Sequence, residues 1–171
     1  SAFVRAAESA VYVMDTLDFQ GDAELVLDNS FMLIGDTGSV NFYDQSLMFA
    51  HPSSSIQCNG IYSVHHNSIQ AMYNVTFLPT HFTGTLSFYD QTTWVVSDSL
   101  LGGFVDIDAN DGAVLQFENS EVNLNGYTAF LNDLGNTTFD SSQVYSSESV
   151  HVYSPLLLKN SSFSFSFNRP V

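Results

Sequence analysis

The sequence predicts an all-β protein folded as a parallel β-helix, a solenoid of short irregular coils, and three observations carry that expectation. Short runs of alternating apolar and polar residues fill the chain from Asp15 onward, the period of a half-buried strand. Clusters of Gly, Asn, Asp, Ser and Pro separate those runs, which is turn chemistry. A degenerate frame (apolar, any, polar, then Asn, Gln or Ser) recurs between them. An antiparallel β-sandwich or jelly roll is the alternative, because it spaces its strands similarly.

The opening stretch, residues 1–14, is expected to be a short cap on one end of the core. Phe3, Ala7, Val11 and Met14 fall at helical spacing, whereas the run Val11-Tyr12-Val13 favours a strand. Residues 15–171 are expected to form the β coils of the same single domain. The alternating runs there read ELVLD, SVNFYD, YNVTF, TLSFYD, AVLQFE, EVNLN, VHVYS and SFSFSF. Turns are expected at Gly35-Asp36-Thr37-Gly38, His51-Pro52-Ser53, Asn110-Asp111-Gly112 and Asn125-Gly126.

The recurring frame appears as VLDNS at Val26, FYDQS at Phe42, VHHNS at Val64 and FYDQT at Phe88. Further copies are QFENS, FDSSQ and LLKNS, ending at or near Asn119, Ser142 and Asn160. Their spacing varies between about 16 and 28 residues, near or below the range of repeat architectures. Asn tolerates the left-handed backbone of a sharp corner. Its amide can also bond to an equivalent residue in the next coil. Residues just before the Asn or Gln, such as Asp28, Asp44, His66, Asp90, Glu118 and Lys159, are expected to face solvent.

This pattern resembles right-handed parallel β-helices, the pectin-lyase-like fold and the passenger domains of bacterial autotransporters. The VxxN and FxxQ copies are also similar to the FxxN repeats of chlamydial polymorphic outer-membrane proteins. Leu101-Gly102-Gly103-Phe104 is faintly similar to their second motif, departing from it at the alanine. The resemblance covers about residues 20 to 167. It implies a stiff right-handed solenoid that serves at a surface.

Composition narrows the function classes. Of 171 residues, 44% are hydrophobic and 14% aromatic, more apolar material than a disordered chain carries. Asp and Glu number 18 against three basic residues, Arg5, Lys159 and Arg169, for a net charge of -15. Three scattered cations cannot build the basic patch that nucleic acid requires, and an anionic membrane surface is disfavoured for the same reason. The single cysteine, Cys58, excludes an internal disulfide and reads as a small buried hydrophobe. No apolar run is long enough to span a membrane. Beginning at Ser1 without a leader, the chain is expected to be a processed mature protein or a piece of something longer.

Few residues point to chemistry. Asp106, Asp108, Asn110 and Asp111 form the densest acidic cluster and offer the hard oxygen ligands Ca²⁺ prefers. The spacing carries one residue too many before Gly112, and Glu118 is one place off for a distal ligand. As a catalytic pair, Asp106 and Asp108 would suit glycoside hydrolysis, yet no Arg or Lys flanks them. His65 and His66 are adjacent and are expected to face opposite sides of a strand. Catalytic residues and bound cofactors are expected to be absent, Ca²⁺ excepted. Asn74, Asn136 and Asn160 head glycosylation sequons, with Asn136 and Asn160 expected in turns. Phe163, Phe165 and Phe167 form a strictly alternating terminal strand, suited to pairing with a neighbouring subunit.

These features predict a secreted or cell-surface structural or adhesive protein, a segment or subunit of a fibre, filament or wall layer. Self-association and glycans are the expected partners. A carbohydrate-active domain is the alternative, with Trp94, Tyr43, Tyr62, Tyr73 and Tyr89 stacking on sugar rings. A viral tail-spike-like domain is a third reading.

Overall fold

The computed structural model of the protein describes residues 2–79, 84–103, 106–124, 127–131, 136–147, 150–153 and 155–165. Strands follow one another in sets of three. The first set is β1 (Phe3–Ala7), β2 (Ala10–Val13) and β3 (Thr16–Phe19). The second is β4 (Glu24–Asp28), β5 (Phe31–Ile34) and β6 (Ser39–Phe42). The third is β7 (Leu47–Ala50), β8 (Ser55–Cys58) and β9 (Ile61–Val64). Then come β10 (Ile69–Tyr73), β11 (Thr76–Phe77) and β12 (Thr85–Phe88), followed by β13 (Thr93–Ser97), β14 (Leu100–Gly102) and β15 (Asp106–Asn110). Next are β16 (Val114–Glu118), β17 (Glu121–Leu124) and β18 (Tyr127–Leu131), then β19 (Asn136–Asp140), β20 (Gln143–Ser146) and β21 (Val150–Val152). The last two are β22 (Leu156–Lys159) and β23 (Ser162–Phe165).

Each strand pairs in parallel with the strand three places on, giving sheets of eight, eight and seven strands. The first sheet runs from β1 to β22, the second from β2 to β23 and the third from β3 to β21. The molecule is therefore a parallel β-helix, and the sandwich alternative is set aside. Residues Phe3 to Val13 are strands β1 and β2, the end rungs of two sheets. The helical spacing of Phe3, Ala7, Val11 and Met14 is coincidental: the first rung can satisfy its backbone along one edge only by pairing with β4 and β5.

Alternation explains the core. In the first sheet Leu25, Met48, Gln70, Trp94, Leu115 and Thr137 occupy one inward column, all buried. Met32, Ile56, Phe77, Leu101, Val122 and Val144 do so in the second. In the third, Val40, Tyr62, Leu86 and Ile107 line one column and Phe42, Val64, Phe88 and Ala109 the next. Rings in neighbouring rungs lie flat on one another: Phe117 and Phe139 are 4.7 Å apart at 10°, Phe19 and Phe42 4.8 Å at 8°. Such contacts add about 0.5–1.5 kcal/mol each beyond area burial.

The corners correct the reading of the repeat. Its copies belong to two different bends. VLDNS, FENS, FDSS and LKNS turn from the first sheet to the second, with positive φ at Asn29, Asn119, Ser141 and Asn160. FYDQS, VHHNS and FYDQT turn from the third sheet to the first, with positive φ at Asp44, His66 and Asp90, one residue before the Gln or Asn. Merging the two sets produced the uneven spacing. The remaining corner, second sheet to third, brings backbones into close approach at Gly38 and Gly60. A Cβ on Gly60 would lie 2.1 Å from the Gly38 carbonyl oxygen, so no larger residue fits there.

Candidate functional site

A ladder of largely buried serine hydroxyls runs along the first corner. After each positive-φ residue comes Ser9, Ser30, Ser54, Val75, Ser99, Ser120, Ser142 or Ser161. Five of the serine N–H groups donate to the hydroxyl one rung on: Ser9 to Ser30 at 3.2 Å, Ser30 to Ser54 at 3.3 Å, Ser99 to Ser120 at 3.2 Å, Ser120 to Ser142 at 3.1 Å and Ser142 to Ser161 at 3.0 Å. Five of these hydroxyls donate to the carbonyl two residues back, as in Ser120 to Glu118 at 2.7 Å and Ser9 to Ala7 at 2.7 Å. Ser161 does the same toward Lys159, at 2.8 Å. Val75 interrupts the column, and there the Ser54 N–H turns to the His51 carbonyl at 3.2 Å instead. An Asn amide makes such a bond at Asn119, which donates to Asp98 one rung back; along the rest of the column serine carries the ladder, because a short hydroxyl can accept from one rung while donating within its own.

The third-to-first corner works in the same way with longer side chains. Asp44 accepts the Gly21 N–H at 3.0 Å and Asp90 accepts the His66 N–H at 3.1 Å. Between those acids the His66 Nδ1 faces Asp44, 3.8 Å from a carboxylate oxygen. Beside this column, His65 is stacked between Tyr43 and Tyr89, each ring centroid 4.8 Å away. Burial and the neighbouring His66 hold the His65 pKa below its ordinary value, against the pull of Asp90. Both histidines lie past the end of β9, so the expected opposite-face strand placement does not arise.

Several expected sites are now placed. Asp108, half-buried, and Asn110 lie on β15, Asp111 is the exposed corner residue after it, and the side chain of Asp106 lies outside the described residues. Among the described residues no three His, Cys, Asp or Glu side chains converge as metal ligands would. Asn74 and Asn160 are both exposed at the first corner, four rungs apart in one column. Asn136 is exposed but opens strand β19 rather than occupying a turn. Trp94 and Tyr62, expected as sugar platforms, are wholly buried, and Tyr43 and Tyr89 stack on His65; of that set Tyr73 stands exposed. Burial pushes the Cys58 thiol up to about 12, so it is a core residue.

The two end coils carry the most unusual surface. Nine of the thirteen exposed large apolar side chains among the described residues lie there. Phe3, Val4, Tyr12 and Met14 belong to the first coil; Val152, Tyr153, Leu157, Leu158 and Phe165 belong to the last. Val4, Leu158, Val152 and Phe165 continue inward core columns on the first and last described rungs. Phe163 is half-buried above Val144, Phe165 stands 53% exposed above Ser146, and Phe167 lies outside the described residues.

No protein-family model, curated protein or solved structure matches the chain. The parallel β-helix expected from the resemblance is what the chain forms; membership of a particular family is not established by it. What the arrangement offers is a stiff stack of parallel strands, ordered along its first corner by rung-to-rung bonds. No helix among the described residues is long and apolar enough to cross a membrane.

Proposed function

We propose that this chain is a structural module of an extracellular or cell-surface scaffold, in which its coil is one segment of a longer β stack. The observation that carries this reading is the unbroken parallel stacking of all three sheets, with a ladder of rung-to-rung bonds along their first corner. Polar groups at that corner are spent in rung-to-rung bonds such as Ser99 to Ser120 and Asn119 to Asp98. A net charge of -15 keeps such rods apart sideways.

A surface location agrees with sequons at Asn74, Asn136 and Asn160 that are all exposed on the first sheet or its corner. Three basic residues also leave few sites for trypsin-like proteases. The test is immunogold labelling of intact source cells with antibody against the chain. Label on fibres or on the outermost layer is expected; label seen only after permeabilisation overturns the reading.

A further inference from the structure

We propose that the outward face of the first sheet, over its middle strands β4 to β16, docks a basic amphipathic helix of a partner protein. This adds a lateral partner to the coil and does not require the scaffold reading.

The strands of this sheet are apolar on both faces. Leu47 to Ala50 reads LMFA, apolar at every position, and β10 turns Ile69, Ala71 and Tyr73 outward. Such strands are the mark of a parallel sheet covered on both sides. The third sheet is different: SVNF and TLSF alternate. Its outward groups bond to one another, Asn41 to Asp18 at 2.7 Å and Ser63 to Asn41 at 2.5 Å. The second sheet turns Gln57, Thr76 and Asn123 outward.

Register gathers the apolar groups into a strip. One outward column runs Leu47, Ile69, Thr93, Val114, and the next runs Val26, Phe49, Ala71, Val95. Ile69 is 43% exposed and Tyr73, on the same strand, 54%. Glu24 and Asn136 close the first column; Arg5 and Gln116 close the second. The strip therefore has polar limits inside the coil. Among the described residues every extensive contact between strands joins stacked neighbours of one sheet, so no strand lies over this face.

Charge selects the occupant. Asp44, Asp90 and Asp111 stand at the corner entering the sheet, interrupted by His66. Asp98 and Glu118 stand at the corner leaving it. Arg5 and Lys159 are bonded to other acids, Asp28 and Asp140. An apolar strip between two acidic rims matches a segment whose apolar stripe is flanked by cations. A second copy would set acidic rim against acidic rim at a net charge of -15 each. From Val26 to Val114 the strip crosses five strands, about 19 Å at about 4.8 Å per step. A helix of about four turns covers that length.

Peptide binding tests the surface. The probe is a fluorescein-labelled peptide of about four helical turns, with Leu and Ala along one face and Lys on both flanks. It is titrated with the full chain at physiological salt and read by anisotropy. Saturable one-to-one binding is expected. A scrambled peptide of equal composition should bind at least about tenfold more weakly, since it presents no apolar stripe. Ile69→Lys combined with Val95→Lys should weaken binding of the probe by about tenfold or more. Gln57→Lys combined with Thr76→Lys makes the same change in charge on the second sheet and should leave affinity within about twofold of wild type. All four side chains face outward, so an unfolding midpoint near wild type reports that each variant is folded. No binding, equal binding of the scrambled peptide, or equal loss in the two variants would overturn the site. Self-association of the wild-type chain in sedimentation, abolished by Ile69→Lys with Val95→Lys, would assign the face to a second copy and overturn the helix. Each of these results leaves the cell-labelling test of the scaffold reading untouched.

Discussion

Ser99 donates its backbone N–H to the hydroxyl of Ser120 at 3.2 Å, across 21 residues of sequence and one rung of the coil. Ser120 is 4% exposed, so water cannot replace that hydroxyl. The same oxygen donates to the Glu118 carbonyl at 2.7 Å. Replacing Ser120 with Ala therefore leaves a buried N–H without its partner, at a cost of about 1–3 kcal/mol. Denaturant unfolding of the variant checks this; a midpoint equal to wild type would mean the ladder contributes nothing.

Thr137 presents the opposite case. It fills an inward column between Leu115 and Leu156, is wholly buried, and its hydroxyl meets no partner. Thr137→Val keeps the branched shape and removes a desolvated polar atom, so a gain of about 1 kcal/mol is expected. Thr137→Ala should lose stability instead, because it also opens a cavity. Thermal unfolding of the pair separates the two contributions by sign.

Cys58 reports opening of the coil. Its thiol is wholly buried, lies 3.5 Å from the Gly60 carbonyl it donates to, and is pushed up to about 12 by burial. Thiolate is the reactive form. Maleimide labelling at neutral pH should thus be slow in the folded protein and complete on unfolding. Labelling as fast as that of a free thiol would show that the third coil opens readily.

The His65 stack makes stability depend on pH. Folding lowers the pKa of His65 from 6.5, chiefly by burial and then by His66. The unfolded chain therefore binds the proton more readily, and stability is full above about 6.5 and declines as pH falls through the window between the two values. His65→Phe keeps a ring between Tyr43 and Tyr89 and removes the proton, so the slope in that window should flatten. Unfolding midpoints measured across that window check this; an unchanged slope would place the dependence on other groups.

Much of the fold is legible in the residues. Alternation in ELVLD and SVNFYD placed Leu25, Leu27, Val40 and Phe42 inward, as found, because strand period is a local property of the chain. Corner chemistry was legible as a class: Asn29, Asp44 and Asn119 all tolerate positive φ. Which corner each occupies was not. FYDQS and VLDNS look alike as strings, yet one joins the third sheet to the first and the other joins the first to the second. Nothing within five residues states which sheet came before.

By itself, then, the order of amino acids determined that this chain forms short, stacked, inward-facing strands with sharp polar bends, since those follow from side-chain period and backbone tolerance. Only the tertiary structure decided which bends align. A hydrogen bond such as Ser120 to Ser142, 22 residues apart, depends on the length of every coil between them. The same is true of the ring stack: Tyr43, His65 and Tyr89 are far apart in sequence, and only the alignment of successive corners brings their centroids to 4.8 Å.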